Sequence, residues 1–202
     1  MMSAAAWGAD STRVARALEA AHDSVDHVDA LLQRHTSIAA LDFLRREIRR
    51  RTGVTIAADS IAPGYALDRA ALALATVVDS ALLDIGGQYF WVGSAAHPTH
   101  RTVGIQDPDN TLRMLAVVDL QSGSVRTQSQ RNAARGAARS VTVLATDGLT
   151  ANAWAAALLA LGCDRALTVR GSERLSVVCA DSGGVRWTPD LEQRVQVPSL
   201  PH

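Results

Sequence analysis

Leu18, Ala21, Val25, Val28 and Leu32 recur at steps of three and four residues, while Glu19, Asp23, Asp26 and Asp29 fall on other faces. That period predicts one long amphipathic helix over about residues 11–34. A second helix is expected to follow, with Ser37 as N-cap, Leu41, Leu44 and Ile48 as its apolar stripe and Gly53 as its stop. A short β-like segment at 54–57 leads into Gly64 to Val78, a breaker-free stretch rich in Ala and Leu that predicts a buried helix. The pattern then shortens. Ala81 to Ile85 and Gln88 to Gly93 read as strands on either side of Gly86-Gly87, and Arg101 to Ile105 and Leu112 to Asp119 flank the turn Asp107-Pro108-Asp109-Asn110. Val141 to Ala145, Asn152 to Leu161 and Leu175 to Ala180 give strand, helix and strand, and residues 121–139 read as loop. Helices grouped early, then hairpins, then another helix predict an α+β fold with a mixed or antiparallel sheet. We expect a single domain over residues 1–202, helical over about 11–53 and α+β over about 54–195.

Composition narrows the chemistry. An apolar fraction of 48% in 202 residues is enough for a sizeable core. Twenty acidic residues balance twenty basic ones, so net charge gives no reason to expect a nucleic-acid partner. Every one of those basic residues is Arg, which excludes Schiff-base and lysine general-base chemistry. No apolar run approaches the roughly 18 residues of a membrane span, and the alanine-rich start lacks a basic n-region, so the expected location is cytoplasmic. Cys163 and Cys179 have neither a zinc spacing nor a disulfide framework around them and read as small core residues. His22, Asp23, Asp26, His27 and Asp29 have helical metal-site spacings but fall off the apolar stripe and read as a solvated face. His97 and His100 are expected in an exposed hairpin loop, and no nucleophile is paired with a base. Arg45, Arg46, Arg49, Arg50 and Arg51 form either a solvated helix face or a contact surface for phosphate, an acidic protein or lipid headgroups.

Four segments in order carry a family resemblance. Ile61-Ala62-Pro63-Gly64-Tyr65-Ala66-Leu67-Asp68-Arg69-Ala70 matches a block written "iaKGyavDra", with Pro63 at the Lys position. Leu83-Asp84-Ile85-Gly86-Gly87-Gln88 matches a strand ending in a glycine pair, and Val103 to Pro108 follows at the expected distance. Ser124 to Gln130, "SVRTQSQ", stands where the pattern has "avaTSG", and Ser140 to Ala145 matches "sVTVia". Leu149 to Gly162 matches "aDAlaTAlfvlG", with Asn152 at the Asp and Ala156 at the Thr. The chain thus resembles the FAD:protein FMN transferase (ApbE-type) family from about Trp7 to Val195, in a shortened form whose opening strand is cut away.

The resemblance implies a cleft for FAD, in which Mg²⁺ spans the pyrophosphate while FMN passes to a Thr of a target flavoprotein. It assigns cofactor-lining roles to Gly64, Tyr65, Asp68, Gly86, Gly87, Gln88 and Ser129. Gly86-Gly87 either admits a nucleotide close to the backbone or forms a bulge between core strands. Tyr65 and Asp68 either line the cleft or are a packed ring and a helix-start carboxylate. Asp and Thr are the resemblance's metal ligands, and neither Asn152 nor Ala156 replaces them, so Mg²⁺ is not expected to bind. The His and Asp of a His-x-x-Asp-Pro-x-Thr-Gly element are also absent from Arg131 to Arg139. The expected function is therefore weak or absent transfer of FMN from FAD. The alternative is a non-catalytic accessory subunit of a larger protein complex.

Overall fold

Asp10 starts the first helix by accepting the N–H groups of Thr12 (2.9 Å) and Arg13 (3.1 Å) on Oδ1, which satisfies two of the donors a helix start leaves open. The computed structural model describes residues 1–34, 61–93, 101–169 and 175–198. The expected second helix with its arginines, the segment at 54–57 and His97 and His100 all lie outside the described residues. Helix α1 spans Ser11–Arg34 and buries Ala21, Val25 and Val28, as its period predicted. Its His22, Asp23, Asp26 and His27 are exposed. Helix α2, Ala62–Leu74, buries Leu67, Ala70, Ala71 and Leu74 against it.

Strands β1 (Met2–Trp7), β2 (Ser80–Ile85), β3 (Gln88–Gly93), β6 (Gly123–Ser129), β7 (Ser140–Ala145), β8 (Ser176–Asp181) and β9 (Gly184–Trp187) form a seven-stranded antiparallel sheet in the order β1-β2-β3-β6-β7-β8-β9. Strands β4 (Arg101–Gln106), β5 (Met114–Leu120) and β10 (Val195–Gln196) form a second sheet of three. Alternation along each strand sends side chains to opposite faces. On one face Leu83 and Val92 meet α1 and α2, while Val141, Val143 and Val177 meet α3 (Gly148–Leu161) and α4 (Cys163–Ala166). On the other, Trp91, Val125, Leu144 and Val178 pack on Ile105, Ala116, Val118 and Leu120 of the smaller sheet. The fold is α+β, helices over a large antiparallel sheet over a small one. Arg101 fastens the small sheet to the large one, its guanidinium 5.1 Å from the Trp7 ring and 4.9 Å from the Trp91 ring.

Three expectations need correction. Residues 123–129, read as loop, are β6, which lies between β3 and β7 inside the large sheet. Only Val125 in it is apolar, and burial is sustained instead by side-chain hydrogen bonds: Ser124 Oγ donates to Tyr89 O (2.9 Å), and the Thr127 and Thr142 hydroxyls lie 2.8 Å apart. The alanine-rich start is strand β1, paired with β2 from Met2↔Ile85 to Trp7↔Ser80, so the chain does open on a strand. Alanine is a poor strand former, and pairing and packing override its propensity. Cys163 and Cys179 are buried, but they are not free: they form a disulfide with Cα atoms 5.5 Å apart, joining α4 to β8.

Candidate functional site

The start of α3 is where the resemblance-bearing segments meet. Gly64 of α2 lies directly against Gly148, and a Cβ built on Gly64 would sit 2.3 Å from the Gly148 carbonyl oxygen. Only a residue without a side chain permits that approach. The Asp68 carboxylate accepts the N–H of Gly148 (2.5 Å) and of Leu149 (3.0 Å), and Asp147 caps the same helix by accepting the Thr150 N–H at 2.7 Å. Burial raises the Asp68 pKa above the usual carboxylate value; the two N–H donors pull it down, and the neighbouring Asp147 charge adds to the rise. Gln88, fully buried, donates from Nε2 to Gly148 O (2.7 Å) and to Ser124 Oγ (3.1 Å). Gly64, Asp68 and Gln88 therefore converge on one helix start.

One cavity opens at this junction, and a second lies against the β2–β3 turn and the small sheet. The larger, about 660 Å³, lies between α2 and the ends of β3, β6 and β7. Tyr65, Leu72, Phe90, Trp91 and Leu149 give it apolar walls, with Asp68, Arg69 and Asp147 among its polar lining residues. The smaller, about 420 Å³, opens beside the β2–β3 turn and is lined by Gly86, Gly87, Gln106, Arg126, Thr127, Ser129 and Arg131, among others. Gly86 (φ 59°) and Gly87 (φ 76°) have the positive φ of a tight two-residue hairpin turn, and a Cβ on either would meet nothing within 4 Å. Asp84 Oδ1 accepts the Gly87 N–H at 2.9 Å and fixes the turn. Of the seven residues the resemblance singled out, Tyr65 and Asp68 face the larger cavity, and Gly86, Gly87 and Ser129 the smaller.

Arg126 and Arg131 were not foreseen. Arg126 donates from one terminal nitrogen to Gly86 O (2.9 Å), and burial lowers its pKa from the usual guanidinium value while Asp84 partly opposes that shift. The signal in the sequence was a lone cation at the fourth position of a strand of mostly small or polar residues. The neighbouring Asp107 is held by Arg113 and Arg139, which also grips Asp109 at 2.8 Å.

The donor set does not fit Mg²⁺. Asn152 is 1% exposed on the packed face of α3, and Ala156, one turn on, offers no donor. Among the described residues no three His, Cys, Asp or Glu side chains gather as ligands. Among the described residues no helix is long and apolar enough to cross a membrane.

The ApbE family matches residues 3–133. No curated protein matches the chain. The fold is similar to that of an ApbE protein from Thermotoga maritima, with a TM-score of 0.61 and 18% identity over 94% of this chain and 80% of that one. It is also similar to the apo flavinyl transferase ApbE of Pseudomonas stutzeri (TM-score 0.52, 19% identity), with 67% of this chain matched to 50% of that one. The flavin transferase ApbE of Vibrio cholerae has a TM-score of 0.52 and 14% identity, with coverage of 91% and 77%. The segments after residue 133 lie beyond the family match but within the fold shared with the Thermotoga protein. With well over half its length matched, and its sheets and helices arranged as in these structures, the chain belongs to the ApbE family.

Proposed function

We propose that the chain binds a flavin nucleotide on the family scaffold and transfers FMN weakly or not at all. The observation that carries this reading is α3 itself, which offers a buried Asn152 amide and the Ala156 methyl where the resemblance calls for Asp and Thr. Phosphoryl transfer needs a cation to neutralise charge developing on the phosphate oxygens, and Mg²⁺ selects hard oxygen donors. Between β6 and β7 the chain has no His or Asp to assist, and Arg139 there is engaged by Asp107 and Asp109. FAD remains the nucleotide that the family points to. The test is to add FAD and Mg²⁺ and follow flavin fluorescence together with covalent transfer to an acceptor peptide. Binding without transfer is expected. Tight binding with full transfer would overturn the reading.

A second reading, an accessory subunit of a larger complex, draws support from the larger cavity. Tyr65 is 45% exposed, Leu72 63% and Leu149 37%, three large apolar side chains around one opening. Arg45, Arg46, Arg49, Arg50 and Arg51 are its second candidate contact surface. Stoichiometric copurification with other chains, and no flavin binding, would favour it.

A further inference from the structure

We infer that the cavity beside the Gly86–Gly87 turn is a metal-independent site for a phosphate or pyrophosphate group, with Arg126 and Arg131 supplying the positive charge. The inference deepens the flavin-nucleotide reading, which supplies the nucleotide to which those phosphates belong, but its chemistry stands on the arginines. Arg126 stands on β6, opposite Gln88 of β3 in the large sheet. Its environment is costly for a charge. The group is half-buried, and its Nε is shut off from solvent with no hydrogen-bond partner among the described residues. The single bond to Gly86 O uses one of five guanidinium donors.

Asp84 offsets the charge only in part: its carboxylate raises the Arg126 pKa, but burial still prevails and lowers it. Asp107 is already matched by Arg113 and Arg139. Arg131 adds a second, exposed guanidinium to the lining. A planar fork of N–H donors complements phosphate oxygens, and two adjacent forks suit a diphosphate. The empty space above Gly86 and Gly87 lets the phosphates reach the turn, and Thr127 and Ser129 also line the cavity.

The experiment is calorimetric titration of the full chain with pyrophosphate, ADP and FAD in EDTA, repeated on R126Q and R131Q, with thermal melts to verify folding. Pyrophosphate and ADP should bind without metal, weaken as salt rises, and lose about tenfold or more in affinity in each variant. Arg131 is exposed, so R131Q alone decides the matter if R126Q does not fold. A requirement for Mg²⁺, or wild-type affinity in the folded variants, would overturn the inference. The two readings also separate. FAD binding unaffected by either substitution keeps the flavin reading and removes this one, whereas pyrophosphate binding with no FAD binding does the reverse.

Discussion

Asp68 and Gly148, eighty residues apart, are joined by a 2.5 Å hydrogen bond from the Gly148 N–H to the Asp68 carboxylate. The same carboxylate takes the Leu149 N–H, so a side chain of α2 caps the first turn of α3. Removing it in Asp68→Ala leaves two donors at a positive helix end without their anion. A loss of about 2 kcal/mol is expected in urea unfolding, with Asp68→Asn losing less because one acceptor oxygen remains. An Asp68→Ala midpoint equal to that of the wild type would mean that Asp147 caps the helix unaided.

Glycine substitutions should divide by location. Gly64→Ala pushes a methyl into the Gly148 backbone, where a Cβ would lie 2.3 Å from the carbonyl oxygen and neither partner is a flexible side-chain end. It should cost about 3 kcal/mol and loosen the contact between α2 and α3. Gly86→Ala meets open space and bears only the strain of a positive φ, about 1 kcal/mol. Equal midpoints for the two variants would show that the helices can separate to admit a side chain.

What the sequence made legible follows from range. The α1 stripe of Ala21, Val25 and Val28 and the two strands on either side of Gly86-Gly87 are written in neighbouring residues, although the glycine pair itself forms a two-residue hairpin turn and not a bulge. Strand β6 was missed because its central residues, Ser124 and Thr127, are held by hydrogen bonds to β3 and β7 that no local pattern encodes. The capping of α3 by Asp68 joins two segments whose separate motifs say nothing of their contact. Arg126 was passed over for the same reason, since its partner Gly86 is forty residues away. The disulfide escaped because two cysteines sixteen residues apart form no framework, and only the approach of α4 to β8 brings them together.

That disulfide should be measurable as stability. Closing a loop of 16 residues restricts the unfolded chain by about 3 kcal/mol in the chain-entropy treatment. A reductant should lower the unfolding free energy by roughly that amount, and Cys163→Ala with Cys179→Ala should reproduce the reduced protein and make it indifferent to reductant. Thiol titration of the denatured, unreduced chain should find no free thiol. Two free thiols in protein isolated without reductant would show that the bond does not form.

Acid should weaken the turn between β4 and β5 through Asp107. This carboxylate is 2% exposed, and although desolvation raises its pKa, the Asp109 N–H and the Arg113 and Arg139 guanidiniums prevail and hold it below the usual value. A carboxylate with a depressed folded pKa contributes stability that is fully present above its unfolded pKa, about 3.9, and is lost as pH falls through the folded pKa. Asp107→Asn keeps an oxygen for the Asp109 N–H, now at 3.0 Å, and removes only the charge facing the two arginines. The variant should be about 2 kcal/mol less stable than the wild type at pH 7, a modest figure because Arg113 is 40% exposed. The gap should close as pH drops below about 4, when the wild-type carboxyl takes up its proton and the two proteins become alike at this position. Parallel stability curves from pH 7 to pH 3 would mean that the arginines gain nothing from the Asp107 charge, and that the turn is held by its backbone hydrogen bonds alone.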